Sequence, residues 1–157
     1  MSITSVKNHL KKYNKDKDII ILNESSATVL EAANALNTLP ERIAKTISLK
    51  KGEDKIMLIL MAGNMKLDNA KFKNTFGFKP RMLNKDEALI HTGHPVGGIC
   101  PFGLKEEADI YLDISLKKYD TVFPACGSCN SAIELSIKEL EEIIPTNKYV
   151  DVCKPID

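Results

Sequence analysis

The stretch His94-Pro95-Val96-Gly97-Gly98-Ile99-Cys100-Pro101-Phe102-Gly103 concentrates residue types that can do chemistry. Between Gly93 and Gly103 lie four of the chain's eight glycines and two of its seven prolines. Gly97 and Gly98 let main-chain amides approach a ligand with no Cβ in the way, and Pro101 stiffens the exit. Such a loop can present N–H donors to a carbonyl, carboxylate or phosphate. It can equally be a tight connection that only shapes the fold. His94 opens the loop and is the histidine with a functional reading. Cys100 is a nucleophile only if a histidine is paired with it. His9 reads as structural, and His91 ends a helix, where it suits the negative pole of the dipole.

Two further features carry chemistry. Lys45 stands in Ile43-Ala44-Lys45-Thr46-Ile47. Strand alternation puts it on the face of Ile47, either snorkelling to a rim or pointing into a cavity as a fixed cation. Cys126-Gly127-Ser128-Cys129 has CxxC spacing. With Cys100 or Cys153 it would give zinc three or four thiolates. A redox pair would precede a helix, yet Asn130–Leu135 reads as loop, then strand, and plain loop thiols are the favoured reading. No P-loop, GxGxxG or GxSxG is present.

Local signals set the elements that must position these residues. Helices are expected at Ser2–Tyr13, at Val29–Asn37 behind the capping box Thr28-Val29-Leu30-Glu31, and at Asp68–Phe76 before Gly77. Further helices follow Asn84-Lys85-Asp86-Glu87 and Ser136-Ile137-Lys138-Glu139, the latter running to Ile144, with a short one starting at Pro40. Strands are expected at Asp18–Leu22, Ile43–Leu49, Lys55–Ala62, Asp109–Ile114, Thr121–Phe123, Ala132–Leu135 and Lys148–Cys153. Lys55–Ala62 is nearly all apolar, as a strand buried on both faces requires, and it forms a hairpin with Ile43–Leu49. Without a βαβ rhythm, α+β with a mixed or antiparallel sheet is favoured over doubly wound α/β.

The chain has 157 residues, 43% hydrophobic and 27% charged, which is a globular balance for a single domain over residues 1–157. Twenty-two basic and 21 acidic residues leave a net charge of +1, which argues against bulk capture of DNA or of a membrane surface. The Lys-rich start lacks the apolar core of a signal peptide, and the longest apolar run, Ile56–Ala62, is too short to span a bilayer. A cytoplasmic protein with free thiols is expected.

Taken in order, Ile43-Ala44-Lys45-Thr46, Ala62-Gly63 with Leu67-Asp68, Gly97-Gly98-Ile99-Cys100-Pro101, Asp109–Leu116 and Gly127–Leu135 resemble the YbaK/EbsC family. These are free-standing relatives of the editing (INS) domain of prolyl-tRNA synthetase. The resemblance covers about residues 2–144 and implies an α+β domain with a mixed, barrel-like sheet ringed by helices. It implies hydrolysis of the ester joining a wrong amino acid to tRNA, with Lys45 by the tRNA 3′ end and the loop from Gly97 to Pro101 at the aminoacyl group.

The expected catalytic set is Lys45, Gly97, Gly98 and Pro101. His94, Ile99, Cys100, Asp113, Gly127, Ser128 and Asn130 are the expected lining. No cofactor or metal is expected. The expected partner is mischarged tRNA, and an aminoacyl-tRNA synthetase is a further candidate. Asn130 stands where several relatives carry His, and Cys129 where close relatives often carry Arg. Two other readings remain: a non-catalytic module of this fold that binds an aminoacyl or nucleotide end, and a thiolate metal or redox protein using Cys126 and Cys129.

Overall fold

The computed structural model describes residues 2–156. Its largest sheet is built on the expected hairpin. β2 (Ile43–Lys50) and β3 (Ile56–Ala62) pair antiparallel from Ala44↔Ala62 to Lys50↔Ile56. β5 (Ala108–Asp113) runs parallel to β3, and β9 (Lys148–Val150) runs parallel to β5. On the other side β6 (Thr121–Pro124) pairs parallel with the start of β2, and β8 (Leu135–Ser136) closes the edge antiparallel to β6. The order β8-β6-β2-β3-β5-β9 is a mixed, curled half-barrel, so the α+β expectation holds.

Every residue of β3 is buried. Leu58 and Leu60 enter the main core with Val6 and Leu10 of α1 (Ser2–Lys11) and Leu140 of α5 (Ile137–Ile143). Met57, Ile59 and Met61 face a second core under Phe72 of α3 (Asn69–Phe76). α2 (Val29–Leu36) buries Ala32 and Ala33 against Ile43 and Phe123. α4 (Lys85–Thr92) buries Ala88 against Ile56 and Leu83.

The caps follow local chemistry. Asn84 with Glu87 and Ser136 with Glu139 form complete capping boxes. At α2 the Glu31 N–H donates to Thr28 Oγ1 at 3.1 Å, which is half of the expected reciprocal pair. Pro40–Arg42 is a single 3-10 turn.

Two expected strands are divided. Ala132–Leu135 becomes β7 (Ser131–Ala132), paired with β1 (Ile20–Ile21), and then β8, because this stretch serves two partners in turn. Lys148–Cys153 becomes β9 and then β10 (Cys153–Pro155). Val152 is the break. Its N–H donates to Asp113 Oδ1 at 3.0 Å, and its carbonyl accepts from Asp68 N at 2.8 Å. The chain is thereby redirected onto β4 (Met65–Leu67), a strand with no local signal because its partner lies far away in sequence.

Candidate functional site

A cavity of about 310 Å³ opens at the edge of β2. The pairing of β2 with β6 stops at Ala44↔Pro124, and an edge partner resumes only where Leu49 bridges Met82. Ser48 O accepts from Leu83 N at 3.0 Å, and Lys50 N donates to Arg81 O at 2.8 Å. The even-numbered residues of β2 therefore turn their main-chain groups toward this edge, and strand alternation turns those of Thr46 into the gap. The Thr46 Oγ1 is buried without a protein partner among the described residues. A buried hydroxyl left unmet costs about 1–3 kcal/mol, so Thr46 is a place where a ligand's polar atom would be stabilising.

Three walls enclose the gap. Val29, Ala32 and Leu36 of α2 with Ile43 and Phe123 form an apolar wall. Met82 and Val96, each more than half exposed, stand at the rim. The third wall is the glycine-rich loop, represented by Gly97 and Ile99. Polar lining comes from Ser26, Thr28, Lys45, Thr46, Ser48 and Ser131. Among the described residues no carboxylate, imidazole or thiol lines the cavity.

Lys45 is half-buried, and its Nζ donates to the Met65 carbonyl at 2.5 Å. Burial holds this amine below the usual lysine range, partly opposed by the neighbouring Cys153. The cation is thus desolvated and held by one main-chain oxygen, which favours interaction with an electron-rich ligand atom at close range.

The loop is shaped by backbone fits. Gly97 has φ +95°, and a Cβ there would stand 2.8 Å from Ala27 Cβ. Gly98 N donates to Pro95 O, and Gly98 O accepts from Gly127 N, both at 2.9 Å. The Gly98 N–H is therefore spent inside the protein. Among the described residues the N–H groups of Gly97 and Ile99 find no protein acceptor. Pro101 is buried beyond the cavity.

Gly127, Ser128 and Asn130 form the adjoining loop. Ser128 Oγ donates to Asn130 Oδ1 at 3.0 Å and meets Ser131 Oγ at 2.6 Å. Asn130 Nδ2 donates to Leu22 O, and Ser26 N donates to Cys129 O. This loop seats Ser26 and Ser131 in the wall; its own three named residues stand behind it.

The structure does not bring His94, Cys100 and Asp113 to the lining. His94 is fully buried, its Nδ1 against Ser2 Oγ at 2.5 Å and its Nε2 against Phe102 O at 2.7 Å. Burial lowers its pKa. Cys100 Sγ lies 3.6 Å from His94 Nε2, but burial pushes the thiol up to about 12, so the pair is not an activated nucleophile. Asp113 is buried and accepts from Ser115 N and Val152 N. Cys126 is buried and Cys129 exposed. Among the described residues no three His, Cys, Asp or Glu side chains converge to hold a metal ion.

Residues 23–143 match the aminoacyl-tRNA editing domain. The chain belongs to this family. An uncharacterized Bacillus subtilis (strain 168) protein, YwhH, is 49% identical over 154 residues, covering 98% of each chain. EbsC of Enterococcus faecalis (strain ATCC 700802 / V583), provisionally named a Cys-tRNA(Pro)/Cys-tRNA(Cys) deacylase, is 26% identical over 73% of this chain and 70% of its own. The proline–tRNA ligase of Trichlorobacter lovleyi is 32% identical over 57% of this chain, a match that spans only 16% of the ligase. A crystal structure described as a candidate trans-editing enzyme for prolyl tRNA synthetase superposes with a TM-score of 0.86 at 27% identity, over 98% of this chain and 97% of that one. This editing domain has no helix long and apolar enough to cross a membrane among its described residues.

Residue-type reasoning missed Ser26, Ser131 and the α2 wall. Thr46 and Ser131 lay inside stretches that carried the resemblance, but nothing in α2 distinguishes a cavity wall from an ordinary core face.

Proposed function

We propose that the protein is an aminoacyl-tRNA deacylase acting in trans, hydrolysing the ester of mischarged tRNA. The observation that carries this reading is the meeting of the desolvated Lys45, the unpartnered Thr46 hydroxyl and the Gly97–Ile99 loop around one amino-acid-sized cavity. An aminoacyl ester is already activated, so the protein need not supply a nucleophile. Holding the carbonyl against fixed donors while water or a group of the substrate attacks is enough. The apolar wall from Val29 to Leu36 suits a small uncharged aminoacyl side chain, where one methylene is worth about 1–3 kcal/mol of discrimination. Selectivity beyond that would come from contacts to the tRNA, with a synthetase as a further partner.

The same cavity supports a second reading. Among the described residues neither a carboxylate nor an imidazole lines it, as expected of a module that binds an aminoacyl or nucleotide end without turnover. Incubation with Ala-, Cys-, Ser- and Thr-charged tRNAs on several acceptors separates the two. Selective ester loss above the protein-free rate supports the deacylase, and saturable binding with no ester loss supports the module.

A further inference from the structure

The residues that hold Lys45 in place do not belong to its own sheet. Its Nζ donates to Met65 O, and Met65 stands at the start of β4, paired with Pro155 of β10. Ile156 N donates to Asn64 O at 2.9 Å, and Asp68 N donates to Val152 O at 2.8 Å. The even-numbered residues on this side of the ribbon thus turn their main-chain groups toward β10. Antiparallel alternation then turns the carbonyl of Met65 away from β10. Pro155, which has no N–H to donate, fits opposite Met65 because this pair exchanges no main-chain bond.

The ribbon is also anchored. Val152 N donates to the buried carboxylate of Asp113 at the end of β5, whose other oxygen accepts from Ser115 N. Ser115 Oγ in turn accepts from Ala62 N at the end of β3. Lys71 Nζ donates to Asp151 and to Cys153 O. The Cys153 thiol lies against Met61 Sδ at 3.6 Å, and Met61 is the cross-strand partner of Lys45. All of these C-terminal contacts lie beyond residue 143, where the match to the editing-domain family ends.

We infer that the segment Val152–Ile156 is a positioning element for the site: by pairing with β4 it aims the Met65 carbonyl at Lys45 and so fixes where the amine stands. Asp113 belongs to the same device, as the anchor that ties the segment to the sheet. The effect on the amine follows from the geometry alone; an effect on turnover rests on the deacylase reading.

The test uses the full chain labelled with 15N at lysine, together with Ile156→Pro, which removes the one N–H bound to Asn64 O, and Ile156→Ala, which keeps it. Ile156 is half exposed, so neither change opens a core. In the wild type at mildly acidic pH, the Lys45 ammonium protons should exchange with water at least about tenfold more slowly than those of the exposed lysines. In Ile156→Pro the Lys45 signal should shift and its exchange accelerate, while Ile156→Ala matches the wild type. Lys45 exchanging as fast as an exposed lysine in the wild type would overturn the inference, and that measurement needs no variant to fold. An unmoved Lys45 signal in a folded Ile156→Pro would also overturn it. On a hydrolysed tRNA, kcat should fall with KM unchanged in Ile156→Pro. A shifted Lys45 signal with no tRNA hydrolysed by the wild type would uphold the positioning role and refute the deacylase reading.

Discussion

Gly98 and Ser128 are in backbone contact: a Cβ on Gly98 would stand 2.5 Å from Ser128 N and 2.8 Å from Ser128 Cα. Main chain lies on both sides and neither can swing away. Gly98→Ala must therefore push the glycine-rich loop off the Gly127–Asn130 loop. It is expected to destabilise the fold by about 1–3 kcal/mol and to widen the cavity, which on the proposed function lowers ester hydrolysis. Urea denaturation with a parallel ester-hydrolysis assay checks both. An unchanged midpoint would mean that the two loops are not in contact in solution.

Substitution of Lys45 is expected to separate stability from function. Its amine is desolvated, so Lys45→Met keeps the stem packed while removing a half-buried charge. Relief of the desolvation is offset by the loss of the bond to Met65 O, so unfolding free energy is expected to change by no more than about 1 kcal/mol. Hydrolysis should fall by about a hundredfold or more, the loss typical of removing one fixed electrostatic donor. Steady-state kinetics and denaturation of the same preparation measure the two effects.

His94 predicts a pH dependence of stability. Burial depresses its folded pKa below the unfolded value of about 6.5. The unfolded chain then binds the proton more readily, so the contribution of His94 is complete above that value and is lost as pH falls below it. His94→Gln should flatten the acid limb of stability against pH relative to wild type. Parallel limbs would show that His94 is free to protonate when folded.

Cysteine reactivity should follow burial. Cys100, Cys126 and Cys153 are buried, with their thiols held well above the usual range, and Cys129 is exposed. An aromatic disulfide reagent should label one thiol in the native protein and four in denaturant. The native label should disappear in Cys129→Ser, with hydrolysis unchanged. Rapid labelling of a second native thiol would contradict the packing around the main core.

What could be read from the residues was local. Asn84 with Glu87 and Ser136 with Glu139 specify their helix starts within four residues, and Gly77 and Gly93 close helices in the left-handed conformation. The hairpin from Ile43 to Ala62 announced itself by an apolar run and a turn. What could not be read depends on distant partners. β4 has three half-exposed or exposed residues and exists because β10 pairs with it. His94 looked like a ligand-binding residue by type and position, yet its ring is satisfied by Ser2, 92 positions away, and by Phe102 O. Lys45 stands out on its strand face, but its acceptor, the Met65 carbonyl, carries no side-chain signature at all.

Turnover decides the central claim. Mischarged tRNA labelled on the amino acid should be supplied in large molar excess over the protein, with released amino acid counted against protein present. A deacylase predicts many amino acids released per protein molecule by the wild type and a loss of about a hundredfold or more in Lys45→Ala. Release at the protein-free rate from every charged tRNA, by a protein that binds those tRNAs saturably, would contradict it and make the cavity a binding site.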